Sequence, residues 1–180
     1  NNAGGEGGRV FLYYPGSGEY PLFKNCLIAN NYCDSGAGIY GWSRLVNTTV
    51  VNNTGGYGIA VAGTSTITNS IIYGNEGDEI GSFTATVTNS IVEGDYIGTG
   101  NIDTDPLFVD PDNGDYHLLA SSKCINAGHP DSTDSDGTIS DIGAYPYLNN
   151  YTGPTWYVEA SGNDTTGTGA ISEPFASIQS

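Results

Sequence analysis

Short apolar stretches with polar residues at fixed offsets recur along the first hundred residues. Four of them centre on Asn25, Asn47, Asn69 and Asn89, so their spacings are 22, 22 and 20 residues. In each stretch an apolar residue lies two positions before the asparagine, a small residue one position after it, and Ile or Val three positions after it. The period-two alternation predicts strands, and asparagine favours the left-handed backbone that corners need.

A period of about 22 residues with several short strands is typical of one coil in a parallel β-solenoid. We therefore predict an all-β fold, a parallel β-helix with about 20–22 residues per coil. Coils of this kind stack at roughly 4.8 Å. The four asparagines are then expected at equivalent corners, with their amides hydrogen-bonded along the stack as a structural ladder. A leucine-rich horseshoe has a similar period, but its Leu-rich consensus is absent from the chain.

Composition divides the rest of the chain into further segments. We expect the β-helix coils over residues 1–100 and a capping segment over 101–148. Residues 149–154, with Gly and Pro, have the composition of a linker. Residues 155–180 form a last segment with strand-like and turn-like stretches.

Two resemblances add to this interpretation. The repeat resembles the right-handed parallel β-helix proteins of the pectate-lyase-like superfamily, which implies a right-handed coil. A second stretch resembles the closing segment of bacterial choice-of-anchor Q proteins, although Lys123 stands where that family commonly has proline. The residues that carry this second resemblance are Asp105–Asp110, Gly114–Leu118, Cys124–Gly128 and Asp141–Tyr145. It implies a bacterial protein located outside the cell or on its surface.

Residues 155–180 resemble the opening of a β-helix from the same group, so a closing segment precedes an opening one. One period of a tandem chain, an excerpt, a self-sufficient monomer and a subunit that completes its neighbour are all compatible with this order. Unpaired strand edges invite association, and we expect end-to-end self-association into a filament or tandem array. The expected assembly residues are Trp156, Tyr157, Val158, Phe175 and Ile178.

Charge narrows the classes of function. Twenty acidic residues against four basic ones give a net charge of −16, which disfavours nucleic acid and anionic lipid as partners. The longest apolar runs are far shorter than a membrane span, so no membrane insertion is expected. We expect an extracellular structural or adhesive module.

Carboxylates concentrate in the capping segment, where nine of the thirteen aspartates lie between 103 and 141. Asp131, Asp134, Asp136 and Asp141 alternate with small residues around Gly137, as in a loop that wraps a hard cation. The glutamate that ends an EF-hand loop is missing. Two interpretations stay open: a calcium site formed by these four aspartates, or a solvated loop whose carboxylates cap turns.

The sequence offers few residues suited to catalysis. The basic residues Arg9, Lys24, Arg44 and Lys123 are too few to give the base and charge clamp that the superfamily's lyases use, and a strongly acidic chain repels polyuronate. Asp103 and Asp105 are the candidate carboxylate pair for glycoside hydrolysis, but they precede Pro106 and fit a turn. We expect no enzyme and no catalytic residue, with a polysaccharide lyase or hydrolase as an alternative.

Tyrosines spread over the coils offer aromatic faces for sugar rings, so a carbohydrate-binding adhesin with a polysaccharide partner is a further alternative. They are Tyr13, Tyr14, Tyr20, Tyr32, Tyr40, Tyr57 and Tyr73. His117 and His129 lack a zinc pattern and are expected to be structural. Cys26 falls in the small inward column and is predicted to be a buried free thiol, whereas Cys33 and Cys124 are either paired or free.

Overall fold

Nearly all of the regular structure in the chain is β-strand. The structure is a computed structural model, and it describes residues 10–12, 16, 19–33, 38–55, 59–60, 65–81, 85–148, 157–163, 165–166, 172–174 and 176–177. The strands are, in chain order, β1 (Val10–Phe11), β2 (Leu22–Lys24), β3 (Leu27–Ala29), β4 (Ile39–Tyr40), β5 (Arg44–Val46), β6 (Thr49–Val51), β7 (Ile59–Ala60), β8 (Thr66–Thr68), β9 (Ile71–Tyr73), β10 (Thr86–Thr88), β11 (Ile91–Val92), β12 (Phe108–Asp110) and β13 (Asp115–Leu118). Within these described ranges, the one helical element is a 3₁₀ helix at Pro111–Asn113.

The first eleven strands form three parallel sheets. The first sheet has the order β1-β4-β7, the second β10-β8-β5-β2 and the third β11-β9-β6-β3. Each strand pairs with its counterpart one repeat further along the chain; in the second sheet Phe23 lies opposite Leu45, and Leu45 opposite Ile67. The all-β, parallel-stranded character predicted from the repeat is therefore confirmed.

Left-handed residues separate the second sheet from the third. Asn25, Asn47, Asn69 and Asn89 follow the strands of the second sheet and have φ between 47° and 54°. A non-glycine residue with positive φ is uncommon, and asparagine is among the side chains that tolerate it best. Two residues, the asparagine and the one after it, separate each strand of the second sheet from the next strand, which belongs to the third sheet.

Aliphatic side chains from the three sheets meet in one interior. The apolar columns of the repeat supply it: the buried members are Ile28, Ile39, Leu45, Val50, Ile67, Ile72, Ile80, Val87 and Val92. Along the third sheet the residue next to each inward one points away from this interior. Ile71 and Ile91 belong to a second cluster with Leu118, Cys124 and Ile142, so residues of the closing stretch cover the outer face of that sheet.

Chain contacts divide the protein into two compact units, Asn1–Leu148 and Asn149–Ser180. The second unit has its own local hydrogen bonds. Asn163 N–H donates to the Pro174 carbonyl at 3.0 Å, and Asn163 Oδ1 accepts from the backbone N–H groups of Thr165 and Thr166. In the part of the chain that the structure describes, no helix has the length and apolar character needed to cross a membrane.

Candidate functional site

The predicted ladder asparagines lie at register-equivalent positions, and two of their side chains bind the closing stretch of the first unit. Asn47 Nδ2 donates to the Asp141 carbonyl at 2.9 Å, and Asn69 Oδ1 accepts from His129 N–H at 2.7 Å. These two hydrogen bonds connect corner asparagines of the repeat to residues 60 or more positions away in sequence. These amides attach the closing stretch to the coils.

A continuous amide ladder stands six residues further along each repeat. Asn31 donates its backbone N–H and its Nδ2 to Asn53 Oδ1, at 3.1 and 2.9 Å. Asn53 repeats both bonds to Asn75 Oδ1, at 3.0 and 2.8 Å. The second asparagine of each Asn-Asn or Gly-Asn pair recurs in the repeat. No feature of the neighbouring sequence indicates that the side-chain amides at this position are the ones that stack.

A carboxyl group ends this ladder. Asn75 donates its backbone N–H to Glu79 Oε1 and its Nδ2 to Glu79 Oε2, so Glu79 takes the place of a fourth asparagine. Glu79 is 7% exposed. Burial raises the pKa of its carboxyl from 4.5 to about 7, against the lowering effect of the Asn75 bonds and with a further raising effect from Glu93.

Glu79 lines a cleft with a volume of about 780 Å³. Asp78, Glu93, Asp95 and Tyr96 line the same cleft. This acidic cleft, defined by Glu79 and these four residues, contains several proton acceptors and no described basic side chain.

The two ends of the stacked sheets differ. At one end, residues 98–102 continue the hydrogen bonding: Asn89 N–H donates to Thr99 O at 2.9 Å, and Ile102 N–H donates to Ser90 O at 2.9 Å. At the other end, β2 and β3 are the terminal strands of their sheets, and within the described residues each has a paired strand on one side. We call the outward sides of β2 and β3 the open edge.

The hydrogen bonds between paired strands indicate which backbone N–H and C=O groups of the open edge point outward. Arg44 N–H donates to Pro21 O, and Asn25 N–H donates to Val46 O, so alternation directs the backbone groups of Leu22 and Lys24 away from β5. On β3 the same pattern directs Leu27 and Ala29 outward. Leu22 is 51% exposed, so the open edge combines outward-facing backbone groups with an apolar side chain.

The predicted calcium ligands engage backbone and hydroxyl groups. Asp134 accepts hydrogen bonds from Ser140 Oγ and Asp141 N–H, and Asp136 Oδ1 accepts two from Thr138. The Asp131 side chain is 93% exposed. The described residues contain no group of three or more His, Cys, Asp or Glu side chains placed to hold a metal ion. Calcium binding by this loop stays a prediction of the sequence.

Asp141 has a different environment from its neighbours in that loop. It is 1% exposed, and its carboxylate accepts from Asn126 N–H at 2.7 Å and from Tyr147 N–H. Burial, with a further contribution from the charges of Asp134 and Asp136, raises its pKa above the usual range, although the two backbone bonds lower it. Asp134 also lines a cleft of about 390 Å³ with Asn25 and Asn47.

The predicted assembly and sugar-stacking residues are only partly described. Tyr157 and Val158 are 41% and 44% exposed, while Trp156, Phe175 and Ile178 lie outside the described residues. Among the tyrosines, Tyr32 and Tyr40 are exposed, and Tyr20 and Tyr73 are half-buried. Arg9, Tyr13, Tyr14 and Tyr57 also lie outside the described residues.

The remaining candidate residues have local contacts. Asp105 Oδ1 accepts from Leu107 N–H at 2.8 Å in the turn around Pro106. The His117 ring stacks on Tyr145 with centroids 4.6 Å apart. Cys26 is a half-buried free thiol, and Cys124 is a buried one whose pKa burial raises to about 11. A thiol of that pKa is a weak nucleophile at neutral pH.

Fold and contacts together define an all-β, parallel-stranded protein with a strand-pairing period of 20–22 residues. Comparisons of the chain with protein-family models, with curated proteins and with solved structures gave no match.

Proposed function

We propose that the chain is a right-handed parallel β-helix that serves as an extracellular structural or adhesive module and joins end to end through residues 155–180. Three parallel sheets whose partners are one repeat apart support the solenoid. Right-handed connection is the rule for parallel strands joined by crossovers. The bacterial, extracellular setting rests on the resemblance of the closing stretch to choice-of-anchor Q proteins.

The observation that carries the proposal is the contrast between the two ends of the sheets. One end is covered by residues 98–102, which bond to Asn89 and Ser90. The open edge has outward backbone groups on Leu22, Lys24, Leu27 and Ala29. Such an edge binds an added strand readily, because main-chain hydrogen bonds need no particular side chains.

The second unit has features of a segment that adds to such an edge. It is a separate compact unit by chain contacts, and Tyr157 and Val158 place exposed apolar surface in it. The net charge of −16 keeps the sides of such assemblies apart by repulsion. End-to-end association at the open edge is therefore favoured over side-by-side association.

Sedimentation velocity tests the proposal. The full chain is expected to form a concentration-dependent series of oligomers, and a chain lacking residues 149–180 is expected to sediment as a monomer. Lys24→Pro removes an outward N–H without touching a bond to β5, so it should also block association. Lys24→Ala keeps the N–H and is the matched control. Oligomers that survive both the deletion and Lys24→Pro would contradict the proposal.

One observation favours a carbohydrate-binding adhesin as a second candidate. Tyr73 and Phe108 line a cleft of about 350 Å³ together with Asn52, Asp105 and Asp112. Aromatic faces beside amide and carboxylate groups are the usual means of holding a sugar ring. A glycan array tests this candidate: binding to neutral glycans that is lost in Tyr73→Ala supports it, and an array without any binding rejects it.

A further inference from the structure

The last acceptor of the amide ladder can ionise, whereas the earlier ones cannot. Asn53 and Asn75 present neutral amide oxygens to the residue one repeat before them. Glu79 presents a carboxyl group, and both of its oxygens accept from Asn75. The protonation state of one buried side chain therefore changes the end of the ladder.

Several acidic groups lie near Glu79 among the described residues. Glu93, in the turn after β11, is hydrogen-bonded to the Glu79 carboxyl, and its Oε2 also accepts from Gly74 N–H at 2.9 Å. Asp78 on Glu79's own loop and Asp95 and Tyr96 beyond β11 line the same cleft.

Two more titratable groups lie near this site. The charges of Glu79 and Glu93 help to raise the pKa of Tyr73 on β9, although burial is the largest cause. Glu76, on the same loop as Glu79, faces another way and accepts from Gly55 N–H at 2.6 Å. The described lining of the cleft includes no lysine, arginine or histidine, so no described cation compensates a second negative charge there.

We propose that Glu79 and Glu93 form a protonation-sensitive clasp, which holds residues 76–81 against the end of the ladder while the pair shares a proton and releases them when both carboxyls are ionised. The shared proton makes one carboxyl a donor to the other. When this proton is lost to solvent, the hydrogen bond between the two carboxyl groups is replaced by repulsion between two carboxylates that are poorly solvated.

Release of the clasp has a structural consequence because the next residue is part of the core. Ile80 is 8% exposed and belongs to the interior cluster. Opening of residues 76–81 therefore exposes Ile80 and removes the acceptor of the Asn75 backbone N–H, while Asn75 Nδ2 keeps its bond to Val50 O.

The direction of the pH effect follows from the raised pKa. The folded carboxyl titrates at about 7 and an exposed glutamate at 4.5. The stabilising contribution of the clasp is fully present below 4.5, declines as pH rises, and is lost above the folded pKa. Opening therefore becomes easier across the neutral range.

Hydrogen exchange read by mass spectrometry tests the clasp on the full chain. After correction for intrinsic rates, the protection of residues 76–81 is expected to fall about 30-fold between pH 5.5 and 8.5, given folded and open pKa values of about 7 and 4.5. Glu79→Gln, which cannot ionise, should remove this fall. Asp78→Asn removes an exposed carboxylate from the same cleft and should leave the fall unchanged.

Two results would overturn the proposal. One is an equal pH-dependent loss of protection in the wild type and in Glu79→Gln. The other is a wild-type carbon NMR titration in which the Glu79 carboxyl has its midpoint below pH 5. The NMR measurement needs no variant, so it decides the matter even where Glu79→Gln does not fold.

Discussion

Replacing Asn53 with alanine removes the central rung of the amide ladder. The Asn53 side chain makes four hydrogen bonds, two received from Asn31 and two donated to Ile28 O and Asn75 Oδ1. Asn53 is 0% exposed, so water does not replace these partners. At about 1 kcal/mol for each net bond, the expected loss of unfolding free energy is about 4 kcal/mol.

Urea unfolding followed by circular dichroism measures this loss. Thr54→Ala is the matched control because Thr54 is adjacent and exposed, and its effect should stay within about 0.5 kcal/mol. Asn53→Asp should destabilise the protein at least as much as Asn53→Ala, because its second oxygen would face two acceptors. A loss below about 1 kcal/mol in Asn53→Ala, at an unchanged slope against urea, would refute the ladder as a source of stability.

Three further predictions concern the closing stretch. Tyr116→Phe removes the hydroxyl that accepts from Asn30 Nδ2 at 3.0 Å and Asn52 Nδ2 at 3.4 Å, and urea unfolding should show a loss of about 1–2 kcal/mol; no loss would mean that these bonds contribute nothing. Burial raises the pKa of Asp141, so its contribution to stability is present at low pH and declines as pH rises through that pKa. The urea midpoint of Asp141→Asn should therefore vary less with pH than that of the wild type. Parallel pH profiles of the two midpoints would contradict this prediction. If the acidic loop binds calcium as its sequence predicts, calcium at a hundred times its Kd should stabilise the wild type by about 2.7 kcal/mol but not Asp134→Asn; a melting temperature indifferent to calcium and to chelator would reject the site.

The strand pattern was predictable because it depends on short-range periodicity. Alternating apolar residues at Phe23, Leu45 and Ile67 specify which face of each strand is buried, and a one-residue slip would turn every one of them outward. Asparagine at a fixed offset marks the corner, since few other side chains tolerate φ near 50°. Period, strand type and corner therefore follow from residues close together in sequence.

The ladder and its end were not predictable in the same way. Asn25 and Asn31 both recur in the repeat, and which amide stacks depends on how the corner orients each side chain. Glu79 follows Asn75 by four residues, and its hydrogen bonds to Asn75 depend on the path of the loop over residues 76–78, which lies outside the repeated motif. The bond from Asn47 to Asp141 spans 94 residues, beyond the reach of any local pattern.

The direct test of the account is a cryo-electron microscopy map of the full chain at a concentration where it associates. The account predicts rods in which strands stack at about 4.8 Å along the axis, with a strand from a neighbouring chain's residues 155–180 paired to the open edge at β2 and β3. Particles of single-chain mass at every concentration, or rods joined through any other surface, would contradict it.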